Sequence, residues 1–295
     1  MSVVVGYIPE KGGRGSLDLG LQLAAALGES LTVATVVPRQ WTTPSMARVD
    51  AEFADYARTL GENSERQAQQ WLSETSVDVP TTYVVSPGRS VTSALLAAMQ
   101  THDATMLVLG SSTDGALGRI VVGSTADKLL HSSPVPLAIS PRGYRSTASD
   151  GFSRVTCAFS DTPESRRLVA DGVEFAARLG VPVRVASFGV RGSTMYPPSV
   201  GLSAEDSVLT SWREQVTEAQ QHLRTDKIIS EQVETVVGTG PGWSESMAGI
   251  EWLPDELLLI GSSAAGPLTR VFLGSRASKL VRHSPVPTVV MPRSG

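Results

Sequence analysis

The chain has 295 residues, 41% hydrophobic and 18% charged, with a net charge of −4. That length suits about two domains of roughly 150 residues, each able to bury ~70% of its unfolded surface. The acidic balance argues against a nucleic-acid or anionic-membrane surface, which needs clustered Lys and Arg, and the single cysteine, Cys157, allows no intrachain disulfide and is expected to be buried and reduced in a cytoplasmic protein.

The first residues lack the basic segment and long apolar core of a signal peptide, and no run of 18 apolar residues is present to span a membrane. Val3 to Tyr7 is a β-branched run that fits a central parallel strand. Pro9 to Gly15 is a loop carrying Lys11, Gly12, Gly13 and Arg14. Its glycines spell no known phosphate-loop pattern, although Lys11 and Arg14 could steer an anion. Ser16 or Asp18 is expected to cap the next helix, whose apolar face is Leu17, Leu21, Ala24, Ala25 and Leu27, and Gly28 ends it. Leu31 to Val37 is the second strand and Arg39 to Ser45 a loop. From Met46 to Thr75 the spacing of Val49, Phe53, Tyr56, Leu60, Trp71 and Leu72 predicts one long amphipathic helix with a break near Gly61. Thr82 to Val85 is the third strand, and Ser90 opens a helix through Leu95, Leu96 and Met99.

Met106 to Leu109 is a fourth strand, buried on both faces and ended by Gly110. A small, polar loop runs to Gly118. Ser124 is expected to be an N-cap, with Ala126, Leu129 and Leu130 at helical spacing until Ser133 and Pro134 stop the helix. Val135 to Ile139 is the last strand of this half. A serine- and glycine-rich linker follows, which places the domains at 1–143 and 153–295 with 144–152 between them. The second half repeats the order: Val155 to Ser160, a helix over Pro163 to Gly180, Val183 to Gly189, a loop from Arg191 to Ala204, and a helix over Glu205 to Thr225. Then come Val233 to Val237, a Gly-Pro-Gly turn, a helix from Ser244 to Ile250, and a strand from Leu257.

The stretch from Met106 to Gly143 recurs without a gap from Leu257 to Ser294. Gly110 matches Gly261, Arg119 matches Arg270, Gly123 matches Gly274, Ser124 matches Ser275, and Pro134-Val135-Pro136 matches Pro285-Val286-Pro287. A glycine-rich loop ending in Gly-Ser at a helix start offers free backbone N–H groups and the positive end of a dipole, which is the physics of a phosphate site. Alternating strands and helices in both halves predict two tandem doubly wound parallel sheets, with ligands outside the C-terminal strand ends.

This repeated stretch resembles the nucleotide-binding segment of universal stress proteins, whose pattern is Gly-x2-Gly-x9-Gly-Ser/Thr. Gly110, Gly123 and Ser124 fit it in the first half, and Gly261, Gly274 and Ser275 in the second. The second glycine is replaced by Thr113 and Ala264. The resemblance implies an adenine nucleotide alpha hydrolase-like fold, five strands per domain in the order 3-2-1-4-5. It also implies an intrachain pseudo-dimer paired through the last strands, Val135 to Ile139 and Pro287 to Met291, and a homodimer as a further state. The implied role is stress-response regulation through ATP or AMP and a protein partner. Family members that bind nucleotide carry an aspartate just past the first strand. Ile8 stands there in the first half and Ser160, followed by Asp161, in the second. Isoleucine cannot accept a hydrogen bond, and Thr113 intrudes more than Ala264. Arg276 follows Ser275 where the first half has Thr125. All these differences favour a site in the second half, made by Ser160, Gly261, Gly274, Ser275 and Arg276, over Gly110, Gly123 and Ser124.

An interaction protein that kept the fold and lost the nucleotide is the competing expectation. A slow ATPase or adenylyl transferase would need a group positioning water or a nucleophile beside the phosphates, and neither copy presents one, so no catalytic residue is assigned. His102, His131, His222 and His283 have no metal-ligand spacing. Trp71 and Trp212 are expected to pack in a core or at a domain interface.

Overall fold

The computed structural model describes residues 1–9, 14–38, 47–114, 116–146, 151–191, 198–262 and 274–292. The chain forms two compact units, Met1–Gly151 and Phe152–Gly295. Unit 1 runs β1 (Ser2–Gly6), α1 (Gly15–Leu27), β2 (Ser30–Pro38), α2 (Ala47–Ser73), β3 (Thr81–Gly88), α3 (Val91–Thr101), β4 (Ala104–Gly110), α4 (Ser124–Leu129) and β5 (Leu137–Ser140). Unit 2 runs β6 (Arg154–Ala158), α5 (Pro163–Leu179), β7 (Val183–Val190), α6 (Pro198–Thr225), β8 (Glu234–Gly240), α7 (Trp243–Ala248), β9 (Glu256–Gly261), α8 (Ser275–His283) and β10 (Thr288–Met291). In each unit the strands pair in parallel in the expected order, β3-β2-β1-β4-β5 and, equivalently, β8-β7-β6-β9-β10.

The central strands are covered on both faces, which is why they read as unbroken apolar runs. Val3, Val4, Val5, Leu107 and Val108 are inaccessible to solvent, as are Val155, Cys157, Leu257, Leu258 and Leu259. The first helix of each unit sits directly on the first strand because it carries a mid-helix glycine. A Cβ on Gly20 would overlap Val5, and one on Gly172 would overlap Cys157 Sγ. Glycine inside a helix costs ~1 kcal/mol against alanine, and close helix–sheet packing offsets it here. Burial on all sides pushes the Cys157 thiol up to about 12, so it is an inert core group.

Several boundaries differ from expectation, each for a local reason. Helix α1 begins at Gly15 behind Arg14, which offers no side-chain cap. Ser16 and Asp18 are therefore buried inside its first turn rather than capping it. Asp18 instead accepts the Trp71 indole N–H at 2.6 Å. Helix α2 runs unbroken through Gly61, where a Cβ would lie 3.0 Å from Val85; the glycine serves the approach to β3 rather than a kink. Helix α6 starts at Pro198 rather than near Glu205, with proline at the first helical position where its fixed φ fits. Strands β5 and β10 begin after the Val-Pro pairs, at Leu137 and Thr288. In both, a serine hydroxyl staples the preceding turn: Ser133 Oγ donates to the Val135 carbonyl and Ser284 Oγ to the Val286 carbonyl, each at 2.7 Å. Tyr144 and Arg145, expected in the linker, pack on unit 1: the Tyr144 hydroxyl donates to Gln22 Oε1 at 2.6 Å and Arg145 lies 3.6 Å from Asp18. Lys11, Gly12, Gly13, the loop 39–45, Ala264 and Arg270 lie outside the described residues.

Candidate functional site

In unit 2, β6 ends at Ala158, and Phe159 continues the ladder by one bond from its N–H to the Ala186 carbonyl at 2.8 Å. The chain then turns out of the sheet. Ser160 is exposed, and its N–H donates to Ser165 Oγ at 3.0 Å. Thr162 caps α5 by accepting from the Ser165 N–H at 3.2 Å, with Pro163 at the first helical position. The neighbouring strand, β9, ends at Gly261. A Cβ there would make ordinary contact with Leu168 at 3.4 Å, so packing does not demand glycine at this point.

Helix α8 starts after Gly274, which is extended at φ −70° and ψ 167°, and no side chain caps it. The first backbone N–H groups, at Ser275 and Arg276, therefore point out of an uncapped helix end. Ser275 is the first helical residue, not the N-cap, because Gly274 takes that place; Ser124 stands in the same relation to Gly123 in α4. No acidic residue lies in the first turn of α8.

These pieces share one cavity. It has a volume of about 570 Å³, and Ser160, Asp161, Gly261, Ser262, Gly274, Ser275 and Arg276 are among its walls. All five residues singled out for this half therefore face one space, of a size usual for small-molecule sites. Phe159, Phe188, Trp212 and Trp243 form its apolar side. The sequence reading missed Phe188 and Trp243 and gave Trp212 a packing role. Trp212 does pack: its ring lies over Gly189, where a Cβ would overlap it. It faces the cavity as well. Asp161, the shifted carboxylate beside Ser160, is ion-paired to Arg166 at 3.1 Å, so the acidic end of the cavity lies at β6 and the basic end at α8.

Unit 1 builds the same shape from different residues. A cavity of about 540 Å³ is lined by Ile8, Gly110, Gly123 and Ser124, together with Tyr7, Val36, Val91, Leu95, Thr113, Asp114 and Thr125. Tyr7 donates its N–H to the Ala34 carbonyl at 3.0 Å, the counterpart of the Phe159 bond, which makes Ile8 the equivalent in unit 1 of Ser160. A Cβ on Gly123 would meet Ser112 at an ordinary 3.7 Å, and its φ of −75° suits any residue, so this glycine leaves space rather than serving the backbone. The electrostatics differ from unit 2. Asp127 lies in the first turn of α4, Asp114 is in the cavity wall, and Thr125 holds the place of Arg276. Burial pushes the Tyr7 hydroxyl up, and Arg14 partly counters it.

A profile of the universal stress protein family matches residues 2–141 and again 151–292. The chain belongs to the universal stress protein family. A universal stress protein of Mycobacterium tuberculosis is 45% identical over 292 residues, covering 99% of this chain and 100% of that protein. Another, from Mycolicibacterium smegmatis, is 25% identical over 274 residues, 88% of this chain and 84% of its own length. Among solved structures, a universal stress protein from Archaeoglobus fulgidus matches 99% of this chain and 98% of its own, with a TM-score of 0.60 at 17% identity, a likeness of fold. This universal stress protein thus carries two family domains in tandem. Among the described residues, no cluster of His, Cys, Asp and Glu could hold a metal ion, and no helix is long and apolar enough to cross a membrane.

Proposed function

We propose that this universal stress protein is a cytoplasmic regulator that binds an adenine nucleotide, ATP or AMP, in unit 2 and passes that occupancy to a protein partner without turning the nucleotide over. The observation that carries the reading is the convergence of Ser160, Gly261, Gly274, Ser275 and Arg276 on one cavity of about 570 Å³. The uncapped start of α8 supplies N–H donors and a positive dipole end for phosphate, and Arg276 adds a charge that can pair with it. Ser160, at the other end, suits a ribose or base polar group. Unit 1 favours the second reading, a domain that kept the fold without the nucleotide. Ile8 offers no hydrogen bond, and Asp114 and Asp127 repel phosphate where Arg276 would attract it.

Isothermal titration of the full chain with ATP and with AMP tests this. One site per chain is expected. Gly274→Val combined with Ser275→Ala should abolish it, and Gly123→Val should leave it unchanged. Arg276→Ala should weaken it by ~1.5–3 kcal/mol, the worth of a hydrogen bond to a charged group. Binding that survives the unit 2 changes and disappears with Gly123→Val would place the nucleotide in unit 1.

A further inference from the structure

The strand registers bring the walls of the two cavities into correspondence. Val3 pairs Leu31 and Met106 in unit 1 as Val155 pairs Val183 and Leu257 in unit 2. Phe188 of β7 therefore stands where β2 has Val36. Trp243 is the first residue of α7 just as Val91 is the first of α3. Both members of each pair face their cavity. Unit 2 has thus exchanged aliphatic walls for aromatic ones and added Trp212 from α6. Each indole is held by a contact of its own. Gly189 lies under the Trp212 ring, and Lys279 Nζ sits 5.7 Å from the Trp243 ring centroid. A braced indole bordering an open cavity offers a π-face to a planar ring.

Two polar side chains of the wall fit either kind of base edge. The Ser160 hydroxyl and the Gln215 carboxamide, both in the cavity wall, each offer a donor and an acceptor. The Asp161 carboxylate is engaged by Arg166. Resting on the nucleotide reading above, we infer that unit 2 recognises the base by stacking on Trp243 and Trp212, so that it selects purine over pyrimidine nucleotides and accepts adenine and guanine alike. Trp243 and Trp212 are specificity-determining residues of this site. Stacking strength follows ring area and is indifferent to the hydrogen-bonding edge.

The test is titration calorimetry of the full chain with AMP, GMP, CMP and ribose 5-phosphate, on wild type, Trp243→Val and Trp243→Phe. Valine is the residue unit 1 carries at this place, and phenylalanine retains a ring. AMP and GMP should bind within about threefold of each other and CMP several-fold more weakly. Trp243→Val should weaken AMP and GMP by roughly five- to hundredfold, the range that stacking on an aromatic ring spans, and leave ribose 5-phosphate unchanged. Trp243→Phe should recover most of the loss. Resistance of Cys157 to thiol labelling confirms that each variant is folded. AMP binding that Trp243→Val leaves untouched overturns the inference but not the nucleotide site, and so does CMP binding as tight as AMP or GMP binding tenfold weaker than AMP. Absence of binding by every nucleotide overturns both.

Discussion

The two units share one fold and treat both ends of it differently. At the N-terminal ends of the strands, unit 2 buries an ion-pair network. Arg184 and Glu256 are 1% and 0% exposed and meet at 2.7 Å. Arg184 also donates to Thr156 Oγ1 and to the Glu251 carbonyl, and its guanidinium lies 5.2 Å from the Trp252 ring. Arg154 bridges Glu256 at 2.8 Å and Glu234 at 2.9 Å. Unit 1 fills the same region mostly with hydroxyls. Ser2 and Thr32 hydrogen-bond at 2.7 Å, and Thr105, the counterpart of Glu256, bonds to Glu29 beside a register shift between Ser2 and Val3. At the opposite end, unit 2 has an aromatic cavity whose wall carries Arg276 as well as Asp161 and Glu164, and unit 1 an aliphatic one whose wall carries Asp114. The contrast shows that this sheet tolerates either polar solution at its base. Either way, the buried side chains at this end bond to one another across neighbouring strands.

The largest effect should come from breaking the ion pair. Glu256→Gln removes the charge that compensates two arginines, and burial already lowers the pKa of Arg184. Leaving a buried charge unpaired should destabilise unit 2 by about 3–5 kcal/mol, a large part of a domain's stability. Cys157 reports on unit 2 alone, because it is the chain's single cysteine and is fully buried. Its labelling in urea should move to clearly lower concentrations in the variant. Replacing the pair outright with apolar residues of similar volume, Arg184→Met with Glu256→Met, should recover much of the loss, since such an exchange of a whole buried pair is often near neutral. An unchanged labelling curve for Glu256→Gln would show that the network contributes nothing.

A smaller effect separates the two first helices. Helix α5 is capped by Thr162, whereas α1 begins behind Arg14 with no side-chain cap. Thr162→Ala should cost about 1 kcal/mol, read by the same labelling midpoint. A shift of several kcal/mol would mean that Thr162 also holds the β6 turn.

The smallest effect concerns Asp18. Burial raises its pKa above the ordinary 3.8, and the Trp71 hydrogen bond and the charges of Arg145 and Arg14 only partly counter this. A raised carboxylate is better tolerated protonated. Its contribution is therefore fully present below pH 3.8 and is lost as pH rises through the folded-state pKa. Asp18→Asn, which still accepts the Trp71 N–H, should make unit 1 slightly more stable than wild type at pH 7, and the gain should fade towards pH 4. Thermal melts of both proteins across that range give the answer. A loss of stability that grows from pH 4 to pH 7 would mean that the charges of Arg145 and Arg14 outweigh the carboxylate's desolvation.

By itself the sequence determined the repeat and the strand-and-helix alternation, because buried parallel strands and glycine-ended loops leave a periodic mark that needs no partner to be read; the strand order of each unit was legible only through the resemblance to the family. It also marked Gly110, Gly123, Gly261 and Gly274, since glycine at a loop-to-helix turn is a local signal. The tertiary structure decided what those turns face. Trp243 and Phe188 join Ser160 and Arg276 around one cavity only because the registers of β6, β7 and β9 bring separate stretches to one edge of the sheet. The pairing of Arg184 with Glu256, 72 residues apart, was hidden for the same reason. A charge in a strand reads as a solvated position until its partner across the sheet is known.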